Sequence, residues 1–343
     1  MPEAASLPII DVSAEGPDNQ AKVAKALVDA AAEYGFVYIK NSGLDLTHEQ
    51  IENAFAMVGD FKEGFNFGAF NASGKATQSI PSSMELHQVE LAAFREACHS
   101  VCRKLLLLFG IGLEVSPPDF FAKAHATAPE KPSGSILRFL YYPPPSATPD
   151  AQDDDVRAGA HSDYGSVTLL FRLPGQAGLE ILTPSGAWAP VPVSPAASSG
   201  EGEDDDEAPP PILVNIGDLL SYWTNGLLRS TVHRVAFPAA GGDTIRGEKG
   251  KESAADPRYS IVYFCHPADD TPLAAVPSER VRSFSSEKKN DLAGAAPAAG
   301  AGGANSQSQQ GKVLTAKEHL QSRLRATYLQ MYSGEKEGGE EST

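Results

Sequence analysis

Three residues in the second half of the chain have the types and spacing of a metal site. His161 and Asp163 lie two positions apart, and in an extended segment such residues point to the same side. His233 lies within another β-type run, Ser230-Thr-Val-His-Arg-Val235. Two imidazoles and one carboxylate leave about three metal positions open, as in non-haem Fe(II) sites. The alternative is a buried, hydrogen-bonded histidine pair with a turn aspartate.

Two further residues have the chemistry to bind a carboxylate. Arg258-Tyr-Ser260 opens the last β-rich run, and its first and third side chains share a face. A guanidinium fork with a nearby hydroxyl is well suited to holding a carboxylate through two parallel hydrogen bonds. The alternative is an exposed arginine at a strand edge followed by a loop serine.

Short β-rich runs dominate the chain after Lys131 and must position these side chains. Runs of β-branched and aromatic residues alternate with Pro, Gly and Asn. This pattern is typical of a sandwich, barrel or jelly roll. It predicts strands at 136–142, 166–171, 179–182, 188–191, 212–216, 231–237 and 259–265.

Helical periodicity is clearest in the first third of the chain and near its end. It predicts helices at 18–34, 84–110 and 315–332, the second with an apolar stripe that includes Leu86 and Val89. We divide the chain into an N-terminal helical and strand region (1–130), a jelly-roll core (131–271) and a C-terminal segment (272–343). Three segments lack the apolar content of a packed core. They are the flexible insertions predicted at 194–211 and 239–256 and the low-complexity stretch 285–310.

The composition restricts the class of partner. The 343 residues include 28 Lys and Arg against 44 Asp and Glu, a formal net charge of −16, which argues against a nucleic-acid partner. No apolar stretch approaches the ~20 residues of a membrane helix. The N-terminus lacks the basic and apolar regions of a secretory signal, and three cysteines cannot form a disulfide framework. We therefore predict a cytoplasmic protein without a membrane partner, and the oligomeric state stays open.

Taken in order, the set His161-Ser-Asp163, His233 and Arg258-Tyr-Ser260 resembles the iron(II)- and 2-oxoglutarate-dependent dioxygenases of the isopenicillin N synthase-like group. The chain is similar within this group to fungal thymine 7-hydroxylase-type enzymes. The resemblance covers most of residues 7–332. Flanking runs agree: Leu7-Pro-Ile-Ile-Asp11, Gly35-Phe-Val-Tyr-Ile39, Leu137-Arg-Phe-Leu-Tyr-Tyr-Pro-Pro144, Gly178-Leu-Glu-Ile181 and Val214-Asn-Ile-Gly-Asp-Leu-Leu220.

The resemblance implies a mainly β fold with flanking helices, a double-stranded β-helix or jelly roll. Its implied site residues are the iron ligands His161, Asp163 and His233, the 2-oxoglutarate-binding pair Arg258 and Ser260, and Tyr142 as an assisting residue. No catalytic residue beyond the metal centre is implied. The implied reaction consumes O2, releases succinate and CO2, and hydroxylates a small organic substrate through an Fe(IV)-oxo species.

Three further positions match residues that face substrate in the thymine 7-hydroxylases. Arg138, Tyr164 and Phe264 would suit a planar polar molecule, through charge-assisted hydrogen bonds and ring stacking. The alternative is that the two aromatic residues belong to the core and the arginine to a structural ion pair.

Two other functions stay open. One is an oxidase of the same fold that uses no 2-oxoglutarate, with Arg258 and Ser260 holding a substrate carboxylate. The other is a catalytically silent binding protein. The second is kept open by the stretch 55–65, which is shorter here than in the family it resembles.

Overall fold

The structure is a computed structural model of the chain. It describes residues 3–41, 46–58, 64–126, 128, 131–143, 156–193, 195, 211–236, 257–284 and 313–337. Most of the predicted insertions 194–211 and 239–256, the stretch 285–310 and the centre of the stretch 55–65 lie outside these residues.

Two β-sheets form the centre of the fold. The larger has seven strands in the order β1-β2-β9-β6-β11-β4-β3, antiparallel except for the β1–β2 pair. Its strands are β1 (Ile9–Ile10), β2 (Phe36–Ile39), β3 (Gly64–Phe67), β4 (Ile136–Tyr142), β6 (Val167–Arg172), β9 (Ile212–Ile216) and β11 (Arg258–Cys265). The smaller sheet has the order β5-β10-β7-β8. It comprises β5 (Val156–His161), β7 (Leu179–Leu182), β8 (Trp188–Pro190) and β10 (His233–Ala236).

Helices flank the two sheets, and several of them pack on the larger one. They are α1 (Pro17–Glu33), α2 (His48–Val58), α3 (Gln88–Gly112), α4 (Phe120–Ala124), α5 (Asp218–Trp223) and the C-terminal helix α6 (Ala316–Glu337). Among the described residues, no helix combines the length and apolar content that crossing a bilayer requires. The arrangement confirms the predicted mainly β jelly roll with flanking helices.

Apolar side chains form two separate cores. The first lies between the larger sheet and its helices and includes Phe94, Phe109 and Phe139. The second lies between the two sheets, where Phe36 and Tyr38 of β2 meet apolar residues of the smaller sheet. The larger sheet is therefore buried on both faces.

Strand β11 shows how one strand serves both faces. Ile261, Tyr263 and Cys265 belong to the core beneath the helices. Because successive side chains alternate, Arg258, Ser260, Val262 and Phe264 face the other way, into the space between the sheets. The functional candidates on this strand are thus carried on the face that turns away from the helices.

Several predicted elements differ from the observed ones. The long helix begins at Gln88, after a 3₁₀ turn (Ser82–His87), so Leu86 and Val89 do not extend its buried stripe and are 93% and 66% exposed. Sequence reasoning missed α2, β3 and β5, since these segments lack a clear run of β-branched residues or a long apolar period. Strands β1 and β2 belong to the larger sheet although they lie in the predicted N-terminal region, whose boundary at 130 stays a proposal.

Gly112, the last residue of α3, lies against the backbone of α1. A Cβ atom there would lie 2.5 Å from the carbonyl oxygen of Ala24, a backbone atom that cannot move aside. We expect Gly112→Ala to lower the free energy of unfolding by about 1–3 kcal/mol, because overpacking outweighs the helical gain of alanine. Urea denaturation measures this change. Gly159→Ala is the control, since its Cβ meets nothing within 4 Å, and equal effects of the two substitutions would contradict the packing argument.

Candidate metal centre

The three predicted metal ligands converge at one end of the smaller sheet. His161 ends β5 and pairs directly with His233 at the start of β10, while Asp163 follows two residues after β5. One ligand atom from each residue lies within 4.8 Å of the other two. The imidazole Nε2 atoms of His161 and His233 are 4.0 Å and 3.7 Å from Asp163 Oδ1. Within the described part of the chain, this is the one cluster of three such residues.

Backbone carbonyls orient both imidazoles. The Nδ1 of His161 is 2.7 Å from the carbonyl oxygen of Gly159, and the Nδ1 of His233 is 3.1 Å from that of Thr231. A carbonyl oxygen only accepts hydrogen bonds, so each Nδ1 carries the proton. In the neutral form, each imidazole therefore has its lone pair on Nε2, which is the tautomer that a metal ligand bound through Nε2 requires.

Hydrogen bonds fix the Asp163 carboxylate through the oxygen that faces away from the histidines. Its Oδ2 accepts hydrogen bonds from the Thr168 hydroxyl and the Asn215 side-chain amide, both at 2.7 Å. Thr168 lies opposite Asn215 in the larger sheet, so the two strands β6 and β9 fix the direction of Oδ1. Sequence reasoning missed both residues. A polar side chain inside the buried run Ile212–Ile216 was the available signal.

Burial and charge act in opposite directions on this cluster. Burial acts to raise the pKa of the Asp163 carboxyl, but His233, His161 and the hydrogen bonds from Asn215 and Thr168 outweigh it and lower that pKa. Burial also lowers the pKa of His233. Both shifts favour an ionised carboxylate beside a neutral imidazole at neutral pH, the protonation states that bind a divalent metal.

These features fit a first-row transition metal. Two neutral imidazole nitrogens and one carboxylate oxygen on one side of a metal leave its other positions open for ligands. Asp163 is 6% exposed and His233 8%, whereas the His161 side chain is 47% exposed. The cluster therefore has a closed side and an open side, and a ligand would enter beside His161.

The predicted carboxylate-binding residues lie together between the sheets. Arg258 is paired with Tyr142 across β11 and β4, and its guanidinium carbon lies 5.0 Å from the centre of the tyrosine ring. Its Nε donates to the carbonyl oxygen of Ala177 at 3.1 Å. Arg258 and Ser260 are 3% and 1% exposed, so neither is the exposed strand-edge residue of the alternative interpretation.

The three predicted substrate residues divide into a pair and a single residue. The guanidinium carbon of Arg138 lies 5.3 Å from the centre of the Phe264 ring, and its Nε donates to Asn66 Oδ1 at 2.6 Å. Tyr164 contacts the C-terminal helix instead, with its hydroxyl 2.6 Å from that of Thr327. Asn66, on the edge strand β3, is a further residue that the sequence did not single out.

The sequence matches the 2OG-Fe(II) oxygenase superfamily over residues 133–267. It also matches the non-haem dioxygenase in morphine synthesis N-terminal family over residues 7–64. The first match contains all three predicted metal ligands. The second contains helix α1 and the strands β1 and β2 of the larger sheet.

Known proteins resemble the chain over most of its length. It is 31% identical over 318 residues to the Schizosaccharomyces pombe protein UPF0676 protein C1494.01, covering 80% of this chain and 86% of that protein. It is 29% identical over 239 residues to the 2-oxoglutarate-dependent dioxygenase htyE of Aspergillus rugulosus, covering 69% and 64% of the two chains. The chain thus spans just under two thirds of the second protein.

Solved structures show the same fold. The full-length thymine 7-hydroxylase of Neurospora crassa, in complex with alpha-KG, superposes with a TM-score of 0.66 at 21% identity, covering 95% of this chain and 100% of that chain. The dioxygenase for auxin oxidation in rice gives a TM-score of 0.54 at 20% identity, covering 79% and 86%. At these identities the likeness concerns the fold.

The hydrogen bond from Thr168 to Asp163 gives a test of the centre. We expect Thr168→Val, which keeps the shape but removes the hydroxyl, to weaken binding of a divalent metal by about 10-fold, as loss of a residue that orients a ligand commonly does. Calorimetric titration with Mn(II) measures this change. Thr183→Val is the control, because its hydroxyl bonds only within the exposed turn between β7 and β8. Unchanged affinity in Thr168→Val would contradict the role of the hydroxyl.

Proposed function

This chain belongs to the 2OG-Fe(II) oxygenase superfamily and is an enzyme that depends on Fe(II) and 2-oxoglutarate, and we propose that His161, Asp163 and His233 hold its iron. The observation that carries this proposal is the convergence of two Nε2 atoms on Asp163 Oδ1. Each of the three side chains is fixed on its far side by a hydrogen bond that leaves the converging atom for a metal.

We propose that Arg258 and Ser260 bind the distal carboxylate of 2-oxoglutarate, with Tyr142 packed against the guanidinium. Both residues lie on the face of β11 that also carries Phe264, and Phe264 is paired with Thr168, the residue that holds Asp163. A charged fork beside a hydroxyl, both buried, binds a carboxylate strongly because little water competes for it.

The bound iron and 2-oxoglutarate supply O2 activation coupled to oxidative decarboxylation, which hydroxylates a C–H bond and yields succinate and CO2. The protein's own residues do the rest. His161, Asp163 and His233 would hold the iron through three ligand atoms and would leave its other positions for further ligands. Arg258 and Ser260 anchor the far end of the cosubstrate, which fixes the direction from which its other end approaches His161 and Asp163.

We propose that the substrate is a small planar molecule with oxygen or nitrogen acceptors, bound by Arg138, Phe264 and Tyr164. Asn66 occupies the Nε donor of Arg138, so the donors on its terminal nitrogens are the ones a substrate would use. Phe264 lies beneath the same guanidinium and offers a flat apolar surface. Tyr164 follows directly after Asp163, so a substrate that reached Tyr164 would lie beside the triad.

Membership of the isopenicillin N synthase-like group and a cytoplasmic location stay predictions from the sequence. The order of the motifs along the chain supports the first, and the three buried free cysteines are compatible with the second. The absence of nucleic-acid and membrane partners likewise stays a prediction.

Anaerobic titration with Fe(II) and then 2-oxoglutarate tests the assignment of the residues. We expect the wild-type protein to develop the weak visible metal-to-ligand charge-transfer band of the chelated cosubstrate. His233→Ala should lose the band because it removes a ligand. Arg258→Ala should need about 10-fold or more 2-oxoglutarate to develop it, since hydrogen bonds to a charged group contribute ~1.5–3 kcal/mol.

Arg234→Ala is the matched control for this titration. Arg234 is adjacent to His233 but points to the other face of β10, where it pairs with Glu180 at 2.6 Å. This variant should keep the band. An undiminished band in His233→Ala would overturn the triad. A folded wild-type protein that binds iron but gives no band and no succinate would favour the oxidase or the silent binding protein.

The proposed role of Arg138 is tested by substrate-stimulated succinate formation across a panel of small heterocycles and acids. Arg138→Met keeps the bulk that covers Phe264 but removes the donors. We therefore expect KM for the stimulating compound to rise by about 10-fold or more, while KM for 2-oxoglutarate changes little. Equal increases in both KM values would contradict a role confined to the substrate.

A further inference from the structure

Asp218, the first residue of α5, lies where three parts of the chain meet. It is 8% exposed, and it contributes no side-chain cap to its own helix. Its carboxylate instead bonds to Ser162, Ser230 and Arg323, which come from three different segments. A buried carboxylate with partners from three segments holds those segments at fixed separations.

Two of these segments carry the triad. Asp218 Oδ2 accepts from the hydroxyl of Ser162, the residue between His161 and Asp163, at 3.1 Å. Its Oδ1 accepts from the hydroxyl of Ser230 at 2.7 Å. Ser230 directly precedes Thr231, whose carbonyl oxygen orients His233. The main-chain N–H of Asp218 also donates to the carbonyl oxygen of Asp163 at 2.6 Å.

The third segment is the C-terminal helix. Arg323 of α6 pairs with Asp218 Oδ2 at 2.7 Å, and the two side chains are 25% and 8% exposed. One turn further along, Thr327 contacts the Tyr164 hydroxyl. Helix α6 therefore lies against the triad segment through one ion pair and one hydrogen bond, and the ion pair ends on the carboxylate that also holds both histidine-bearing segments.

We propose that Asp218 is a positioning residue that couples docking of α6 to the geometry of the iron ligands, so that metal binding and helix docking strengthen one another. This inference rests on the proposed iron site. The coupling is reciprocal by thermodynamic necessity: if docked α6 raises the affinity for iron, bound iron stabilises docked α6 by the same factor. The consequence for catalysis is that the iron site is best ordered when α6 closes the region beside Tyr164.

The substitutions separate the ion pair of Asp218 with Arg323 from its hydrogen bonds with the two serines. Arg323→Met and Asp218→Asn both abolish the ion pair and keep the serine hydrogen bonds, because a serine hydroxyl bonds to an amide as well as to a carboxylate. Asp218→Ala removes both the ion pair and the serine hydrogen bonds. We expect affinity for Fe(II) to fall by about 5-fold in the first two variants and by about 10–100-fold in Asp218→Ala.

Two measurements are made on the full chain. Anaerobic titration with Fe(II) alone gives the metal affinity, and amide hydrogen exchange over residues 316–327 gives the docking of α6 with and without Fe(II). In the wild-type protein, iron should slow this exchange. In Arg323→Met, exchange should be faster and should respond less to iron. The double variant Asp218→Ala/Arg323→Met should bind iron as Asp218→Ala does, since Arg323 acts through the carboxylate.

Lys317→Ala is the control on the same helix. It removes the surface pair with Asp269, at 3.2 Å, but leaves the Asp218 contacts intact, so iron affinity should not change. Faster exchange in Arg323→Met with wild-type iron affinity would overturn the coupling, as would additive losses in the double variant. Should Asp218→Ala fail to fold, Arg323→Met and Asp218→Asn decide the question alone. A wild-type protein that binds no iron, or a His233→Ala variant that binds it fully, would overturn the iron site itself.

Discussion

The carboxylate of Asp163 is buried, and a buried anion is tolerated only when hydrogen bonds or opposite charges compensate for the water it has lost. Thr168 and Asn215 supply that compensation on one oxygen, while the other oxygen faces the two histidines. Much of the fold can be understood from this requirement. Strands β6 and β9 must be adjacent and in register for their two polar side chains to reach one oxygen atom. The segment after β5 must lie over them.

The larger sheet must also contribute to the hydrophobic core and carry buried polar side chains, and it does so on opposite faces. The face beneath the helices is apolar and contains large rings such as Phe139 and Phe171. The face between the sheets carries Arg258, Ser260 and Thr168 among apolar neighbours, and such polar groups are stable there only where partners are provided. Because side chains alternate along β11, this strand of eight residues both packs in the hydrophobic core and presents the side chains proposed to bind 2-oxoglutarate.

The sequence was most informative where residue type and period coincide. The pair His161 and Asp163 could be recognised by simple alternation, whereas the set with His233 was implied by the family resemblance. The strands 136–142, 179–182 and 212–216 could be predicted because their β-rich runs end at turn residues. Contacts distant in sequence could not be predicted. The pairing of Arg138 with Asn66 depends on β3, a strand without a clear alternating pattern.

The same limit applies to the ends of elements and to ion pairs. Leu86 and Val89 fit a helical period, yet Leu86 lies in a 3₁₀ turn, Val89 lies in the first turn of the helix that follows, and both are exposed. The hydrophobic period does not encode this change of helix type. The pair between Arg323 and Asp218 joins residues more than a hundred positions apart, and no local pattern relates them.

The position of β3 at the edge of the larger sheet has a consequence for the support of Arg138. The residues assigned to 2-oxoglutarate, Arg258, Ser260 and Tyr142, lie on β11 and β4, two inner strands of the larger sheet. Asn66, which holds Arg138, lies on a four-residue strand with a neighbour on one side only. Replacing an edge strand disturbs one ladder of hydrogen bonds, whereas replacing an inner strand disturbs two. Substitutions on β3 can therefore alter the support of Arg138, the residue proposed to contact substrate, while both hydrogen-bond ladders of β11 stay intact.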